Sequence, residues 1–460
     1  MSGTNVATAA GPPGERMARA WRTLALTAVA VFVVSLDGTV LFVAFPSIRR
    51  TFSGVSGETL SWILNVYTLA YGALLVPAGR LSDRFGRRVF FVGGIAVFTV
   101  ASLLCGLAPM IGLLVAARGL QSVGAAMLMP ASFALVLHAF PIERRGVAIG
   151  IWGAIGALAA AVGPAVGSAI VQYASWRWAF FLNLPVGVYA VIMGRRRLAE
   201  SRVAEDAGLP DAVGTALLIG SFGAIAYGIV GAKAQLSLAA WALAAGLAML
   251  AVFVWQSLRV PVPALNLRLF RLRTFATANA MSLVFSMAFT AMFLGNVFFL
   301  TERWHRTIFE AGLWISPGPL TVIPVAVLSG RRADRIGYRP LFVVGGLLFA
   351  AAALWMLHIA GGEPSYSSWL LGSIVMGASI GMVLPSLSGA SAVELDAAAF
   401  GAGSGVNQAI RQFGSVLGVA IVVLVLGKLG PTAPFERVFV VLLGGGVLTA
   451  LGGAFFPGRE

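Results

Sequence analysis

The sequence predicts an all-helical, polytopic membrane protein: two six-helix bundles with pseudo-symmetry plus two inserted helices, fourteen transmembrane helices in all. Three observations predict it. Of 460 residues, 59% are hydrophobic and only 11% are charged, against about 25% charged in soluble globular chains. The apolar residues come in repeated runs of the ~20 residues that a helix needs to cross the hydrocarbon core. A ten-residue basic segment occurs twice, once in each half of the chain. Such a composition excludes a single soluble core and a disordered chain.

Taken in order, the spans are expected at about 23–46, 59–79, 89–107, 110–138, 146–172, 178–194, 209–231, 236–256, 275–300, 308–329, 340–359, 367–390, 402–427 and 436–456. The implied organisation is a cytoplasmic tail over 1–22 and a first bundle over 23–194. A linker region over 195–274 carries two extra helices, a second bundle covers 275–456, and a short tail covers 457–460. The first residues hold no short apolar segment ending in a cleavage site, so the first span itself is expected to direct insertion. Cys105 is the only cysteine, which leaves no intramolecular disulfide.

Charge orients the spans. With the N-terminus in the cytoplasm, twenty-two of the 32 Lys and Arg residues fall on that side and eight on the other; Arg118 and Arg411 lie inside helices. This is the asymmetry of the positive-inside rule, and it places both termini in the cytoplasm. It also accounts for the net charge of +15 without a nucleic-acid partner. The basic loops face the anionic inner leaflet, so membrane lipids are expected partners.

The repeat is "GRLSDRFGRR" (79–88) and "GRRADRIGYR" (330–339). Duplicated halves joined by a basic linker are a transporter signature, with the substrate site between them near the midplane. The first copy follows the second span and the second follows the tenth, so two helices, 209–231 and 236–256, are surplus to a six-plus-six plan. Within the repeat, Gly79 and Gly330 allow close packing or a turn, and Gly86 and Gly337 suit a left-handed turn. Asp83 and Asp334 can accept N–H groups at a helix N-terminus. Arg84, Arg87, Arg88 and Arg335 read on their own as positive-inside anchors. The Gly-Asp-Gly framework reads as a packed gate between helices.

Two charges stand out inside apolar runs. Asp37 interrupts "VFVVSLDGTVLFVAF" (31–45), and Arg118 interrupts the fourth span. Asp37 lies nine residues before Pro46 and Arg118 nine after Pro109, so at ~1.5 Å per residue both sit roughly 13 Å below the same surface. Equal depth permits pairing. Gln121 shares a face with Arg118 and can extend a polar network. Intramembrane charges cost roughly 2.5–3.5 kcal/mol on insertion scales and mark ion or proton paths. Burial opposes ionisation of Asp37 and a neighbouring guanidinium favours it. Such a balance suits a proton carrier, and a static ion pair is the alternative. Pro164 removes a helical hydrogen bond and is expected to bend the fifth span. Gly163 and Gly167 share one face and permit close approach of a neighbour. Arg411 reads as an inner-half structural or gating residue with Glu394 and Asp396 as possible partners. Asn183, Asn407 and Phe289 are candidates for a substrate pocket; for Phe289, in series with Phe285 and Phe293, lipid-facing or core packing is the competing reading.

These residues resemble the major facilitator superfamily, and within it the fourteen-helix drug:proton antiporter family. "GRLSDRFGRR" is similar to the superfamily's loop motif. "LDGTVLFVAFPSI" (36–48) resembles the first-helix antiporter motif, and "ARGLQSVGAA" (117–126) the fourth-helix motif with its embedded Arg and following Gln. "SWRWAFFLNLPVG" (175–187) and "GSGVNQAIRQFG" (403–414) resemble stretches typical of the fourteen-helix branch. The fifth-helix motif reads "AAAVGPAVGS" (159–168): Gly163, Pro164 and Gly167 are kept, while Ala159 and Ser168 replace usual glycines. The resemblance implies a proton-coupled exporter working by alternating access, with the fifth-helix kink as a pivot that seals the bundle against proton leak.

The expected partners are a small amphipathic substrate and protons; the expected state is a monomer in the bacterial cell membrane. With Asp37 the sole deep acid, a divalent organic cation is disfavoured; neutral, zwitterionic, monocationic or weakly anionic compounds remain. No phosphate loop, zinc-ligand cluster or nucleophile elbow occurs, so neither a cofactor, a metal nor enzyme chemistry is expected. A proton-driven importer, an exporter of a native lipid or metabolite, and a non-transporting sensor are the rival readings.

Overall fold

A computed structural model describes residues 13–202, 211–232, 235–395, 400–427, 430 and 432–457. In chain order the helices are α1 (Pro13–Thr51), α2 (Gly57–Phe85), α3 (Arg87–Leu107), α4 (Ile111–Ala139), α5 (Ile142–Tyr173), α6 (Trp178–Phe181), α7 (Asn183–Arg197), α8 (Ala212–Gly231) and α9 (Leu236–Arg259). The second half continues with α10 (Arg273–Phe298), α11 (Ile308–Ile315), α12 (Pro317–Ile336), α13 (Arg339–Ile359), α14 (Tyr366–Ala390), α15 (Phe400–Leu426) and α16 (Phe435–Ala454). They make fourteen segments long and apolar enough to cross a membrane, with α6 joined to α7 and α11 joined to α12 in single spans.

Prolines explain both broken spans. Pro185 has no N–H for the Phe181 carbonyl, and the chain turns between α6 and α7 at Leu182. Pro317 and Pro319 deprive Leu313 and Ile315 of helical partners, and α11 gives way to α12 at Ser316. The first helix is longer than its apolar run. It begins at Pro13, because Ala20 and Leu24 find a buried face against Val136, Phe140 and Ala148. It continues past Pro46 to Thr51, with Arg49 and Arg50 in the last turn where cations suit the helix dipole.

The two halves repeat one set of helix pairings. In the first, α1 packs on α5, α2 on α4, α3 on α4 and α3 on α7. In the second, α10 packs on α15, α12 on α14, α13 on α14 and α13 on α16. The repetition extends to glycines. Gly163 and Gly167 of α5 lie against Thr39 and Val40 of α1 so closely that an added Cβ would overlap them. Gly414 and Gly418 of α15 lie against the Leu283 and Met287 carbonyls of α10 in the same way. Small residues four apart let helices approach backbone to backbone. The packing anticipated at Gly163 and Gly167 is present, and α5 stays one helix through Pro164.

The halves meet along three contacts. At the centre, Phe42 meets Phe293 and Phe45 meets Phe298, with ring centroids 5.2 and 5.7 Å apart. On one flank, Gly312 of α11 sits on Ser168 and the Pro164 carbonyl of α5. On the other, Gly72 and Val76 of α2 receive Gln412 and Gly405 of α15. The inserted α8 packs beside this last contact, touching both α2 and α15, with Phe222 stacked on Phe413 at 4.0 Å. At the end of the molecule opposite the two basic loops, Arg49 and Glu302 form an ion pair across the seam. Aromatic rings of Phe299, Trp304, Trp314 and Trp369 pack together near that end.

The two basic loops differ. In the first, Gly86 has φ +120° and ends α2. Asp83, expected to accept N–H groups at a helix N-terminus, instead pairs with Arg87 at 2.9 Å. The cap comes from Glu200, whose Oε1 accepts from the Arg88 N–H at 3.0 Å. Arg87 N–H donates to the Ser201 carbonyl, and the Arg88 guanidinium donates to the Arg195 carbonyl. The linker at 195–201 is thereby stapled to the loop. Arg84 leans over the Phe85 ring, and Gly79 meets Pro130 of α4 at ordinary contact distance. In the second loop Gly337 has φ +76° and ends α12. Gly330 and Gly337 have no neighbour within reach of an added Cβ, and Arg335 is exposed. Gly330 itself faces open space, although Ser329 and Ala333 on either side of it are buried. The side chain of Asp334 lies outside the described residues.

Candidate functional site: a buried ion pair in the first bundle

Five helices of the first half converge on Asp37. Asp37 is 3% exposed and Arg118 1%, so both charges must be compensated from within. Arg118 Nη1 donates to Asp37 Oδ2 at 2.7 Å. Gln121 Nε2 and Asn183 Nδ2 both donate to Oδ1 at 3.0 Å. Ser102 Oγ accepts from the same two amides at 2.8 and 3.3 Å, and itself donates to the Phe98 carbonyl. Arg118 also donates from Nε to the Ile63 carbonyl at 3.2 Å and from Nη1 to Gln121 Oε1. Its guanidinium lies 4.1 Å from the Tyr67 ring centroid and 5.8 Å from that of Phe180.

Each member is placed by its helix. Arg118 and Gln121 are three apart on α4 and share a face. Asp37 lies on α1 two residues before Thr39, the residue on which Gly163 packs. Asn183 is the first residue of α7, so the Pro185 break aims its amide inward. Ser102 comes from α3. Three donors, one of them a cation, therefore surround the buried carboxylate.

The pairing of Asp37 with Arg118, raised by their depth, is present. The depth count itself was off at one end, since Pro46 lies inside α1 and the helix runs on to Thr51. Gln121 and Asn183 belong to this network. Phe289 is half-buried, at 6.3 Å from Phe293. Phe285 and Phe293 are core residues, and Phe285 meets Phe349 at 5.2 Å. Asn407 lies in the other half, where Nδ2 donates to Asn279 Oδ1 and Ser282 Oγ at 3.0 Å each. Arg411 is not paired with Glu394, and Asp396 lies outside the described residues. Sequence reasoning missed Ser102, Tyr67 and Glu200. A serine in an apolar helix carries no distinguishing signal. Tyr67 and Tyr71 did carry one, two tyrosines at helical spacing on a span facing the other half.

A charged pair sealed within a twofold-repeated helical bundle is the interior of a polytopic membrane transporter. Comparison with known proteins gives the family. The model of the Major Facilitator Superfamily matches residues 27–419, and the chain belongs to that superfamily. It is 33% identical to the Multidrug resistance protein Stp of Mycobacterium tuberculosis over 88% of this chain and 75% of that one. It is 30% identical to the Tetracenomycin C resistance and export protein of Streptomyces glaucescens, covering 92% and 79%. It is 35% identical to the Methylenomycin A resistance protein of Streptomyces coelicolor, covering 87% and 85%. Among solved structures, a POT family transporter in complex with 5-aminolevulinic acid shares the fold, with a TM-score of 0.69 at 15% identity over 94% of each chain. The protein is a multi-pass plasma-membrane transporter of the efflux type that these relatives represent.

Proposed function

We propose that the chain exports amphipathic small molecules, of the antibiotic kind named for its relatives, in exchange for protons carried by Asp37. The observation that carries this reading is the position of Asp37. Among the described residues it is the one carboxylate deep within a membrane span, and its charge is balanced by Arg118 alone. Protonation would remove that balance and leave Arg118 uncompensated beside Tyr67 and Phe180, so a change of protonation must bias the arrangement of α1 and α4. Because α1 also carries Thr39 and Val40 onto Gly163 and Gly167 of α5, and α5 touches α11 across the seam, a shift at Asp37 reaches the contact between the halves. In this reading both termini are cytoplasmic and the basic loops gate the cytoplasmic side. The tails, two bundles and linker follow the sequence boundaries, and the unit is a monomer in contact with inner-leaflet lipids. One inward proton gains ~2.3 kcal/mol per 100 mV of membrane potential.

The test is cargo-dependent proton flux in proteoliposomes with wild-type protein and Asp37→Asn, using a drug whose export by the wild type has been established. Loss of proton flux is the expected result. Coupling fully retained in the variant would remove Asp37 as the carrier and leave the pair a structural one.

A further inference from the structure

Arg411 is a second guanidinium within the spans, and nothing in the Asp37 network uses it. It lies on α15 eleven residues beyond Phe400, which places it near mid-helix. The face of α15 that carries it is defined by its neighbours in sequence. Asn407, one turn earlier, bonds Asn279 and Ser282 of α10. Gly414 and Gly418, on the same side, rest on α10 backbone. From the other half α2 packs on this stretch of α15, with Gly72 against Gln412 and the Ala409 carbonyl, and brings Tyr71 beside Gln408 and Arg411. The guanidinium thus stands where α2, α10 and α15 meet, between the two halves.

Two features there are unfinished. Arg411 forms no ion pair with a carboxylate among the described residues, and Asp37 has both oxygens engaged elsewhere. Arg411 is only partly buried, so the charge retains an accessible side. Next to Tyr71 on the same face of α2, and stacked on it at 6.0 Å, Tyr67 is 8% exposed with a hydroxyl that has no hydrogen-bond partner among the described residues. A guanidinium cannot shed its proton in any practical range, and an unpaired cation in a membrane span is costly. Of the two phenols only Tyr71 lies beside Arg411, since the Tyr67 ring is taken up by Arg118.

We propose that Arg411 is the anion-binding subsite of the transported molecule. It would take one carboxylate or ionised phenol of an amphipath, with the Tyr71 phenol beside the bound anion. The inference rests on reading the chain as an exporter and does not need Asp37 to be the proton carrier. It narrows the cargo from the broad amphipathic class to one that includes monoanions.

The experiment measures binding to the purified full-length protein by equilibrium dialysis. The probes are 9-anthracenecarboxylate and its neutral amide, the same ring with and without the charge. The wild type is expected to bind the acid roughly tenfold tighter than the amide, the scale of one charge-assisted contact. Arg411→Gln should bring the two probes level while leaving amide binding in place, and Arg411→Lys should restore most of the preference. Equal binding of acid and amide by the wild type, or binding of neither, overturns the proposal even if the variants fail to fold. A preference that survives Arg411→Gln overturns it as well. Failure of the proton-carrier reading is recorded separately, by proton flux in Asp37→Asn.

Discussion

Arg118 and Arg411 are both guanidinium groups held within the spans, one in each half of a duplicated fold. Arg118 is enclosed: an acid, two amides and a backbone carbonyl are arranged around it and around Asp37, and two rings cover it. Arg411 has a phenol and an amide side chain beside it and no acid among the described residues. The helix packing of the halves is nearly the same, down to the glycine pairs of α5 and α15. The difference is therefore chemical and not architectural. On α1 an interior position carries Asp37; on its counterpart α10 the buried polar residues are Thr274, Asn279, Ser282, Ser286, Thr290 and Asn296, none of them an acid. One half is equipped to hold a titratable charge pair, the other to leave a fixed charge open.

The largest effect should come from breaking the enclosed charge. Asp37→Ala leaves Arg118 buried without an acid, a change that typically costs ~3–5 kcal/mol. Arg411→Gln removes no pair and should shift stability by less than ~1 kcal/mol, as ordinary substitutions away from a network do. Thermal unfolding of both variants in one detergent measures the contrast. Comparable losses would mean that Arg411 is a structural charge after all.

Ser102→Ala probes the same network one step out. It removes the acceptor shared by Gln121 and Asn183 while leaving their bonds to Asp37. A cost of ~1–3 kcal/mol is expected for a buried polar group that loses its partner. A neutral result would place the work of orienting the two amides on Asp37 alone.

How much of this was legible beforehand varies with the range of the interaction. The fourteen spans are a local property, since twenty apolar residues have few alternatives in a bilayer, and all fourteen were located. The Asp37–Arg118 pair could be raised because depth is also countable along each helix. What enclosed the pair was not legible. Asn183 reaches Asp37, and Ser102 reaches the two amides that hold it, only because α3 and α7 lie against α1 and α4, and packing of that kind leaves no mark on spacing. The Gly414 and Gly418 contacts were hidden in the same way, although they repeat Gly163 and Gly167. Glu200 was overlooked for a different reason: it follows three arginines in a linker and reads as a solvated charge, whereas it caps α3.

The glycine pairs allow the architectural likeness to be tested on its own. Gly163→Val would drive a side chain into Thr39, where even a Cβ comes within 1.9 Å of Oγ1. Gly414→Val would meet the Leu283 carbonyl, 2.5 Å from its Cβ. Overpacking of this kind costs typically ~1–3 kcal/mol, and the two should be alike within that range. A much smaller loss at Gly414 would mean that the α10–α15 contact yields more easily than α1–α5. The second half would then be the softer one.

The smallest expected effects separate the two basic loops. Gly86→Ala combines a positive φ with a Cβ placed 2.7 Å from the Glu200 carboxylate, so it should both strain the turn and push the cap away. Gly337→Ala meets only the φ of +76°, with open space around it, and a residue held in such a backbone region costs ~1–3 kcal/mol. Gly330→Ala meets neither. It lies exposed within α12 with nothing inside 4 Å, and Ala is favoured over Gly in a helix by ~1 kcal/mol, so this variant should be slightly more stable than the wild type. The expected order of unfolding temperatures is Gly330→Ala, wild type, Gly337→Ala, Gly86→Ala. Glu200→Gln serves as the internal control for the first loop, since it keeps the shape of the cap and removes its charge. If Gly86→Ala and Gly337→Ala fall together, the staple between the first loop and residues 195–201 contributes nothing measurable. The asymmetry of the loops would then be one of shape without energy.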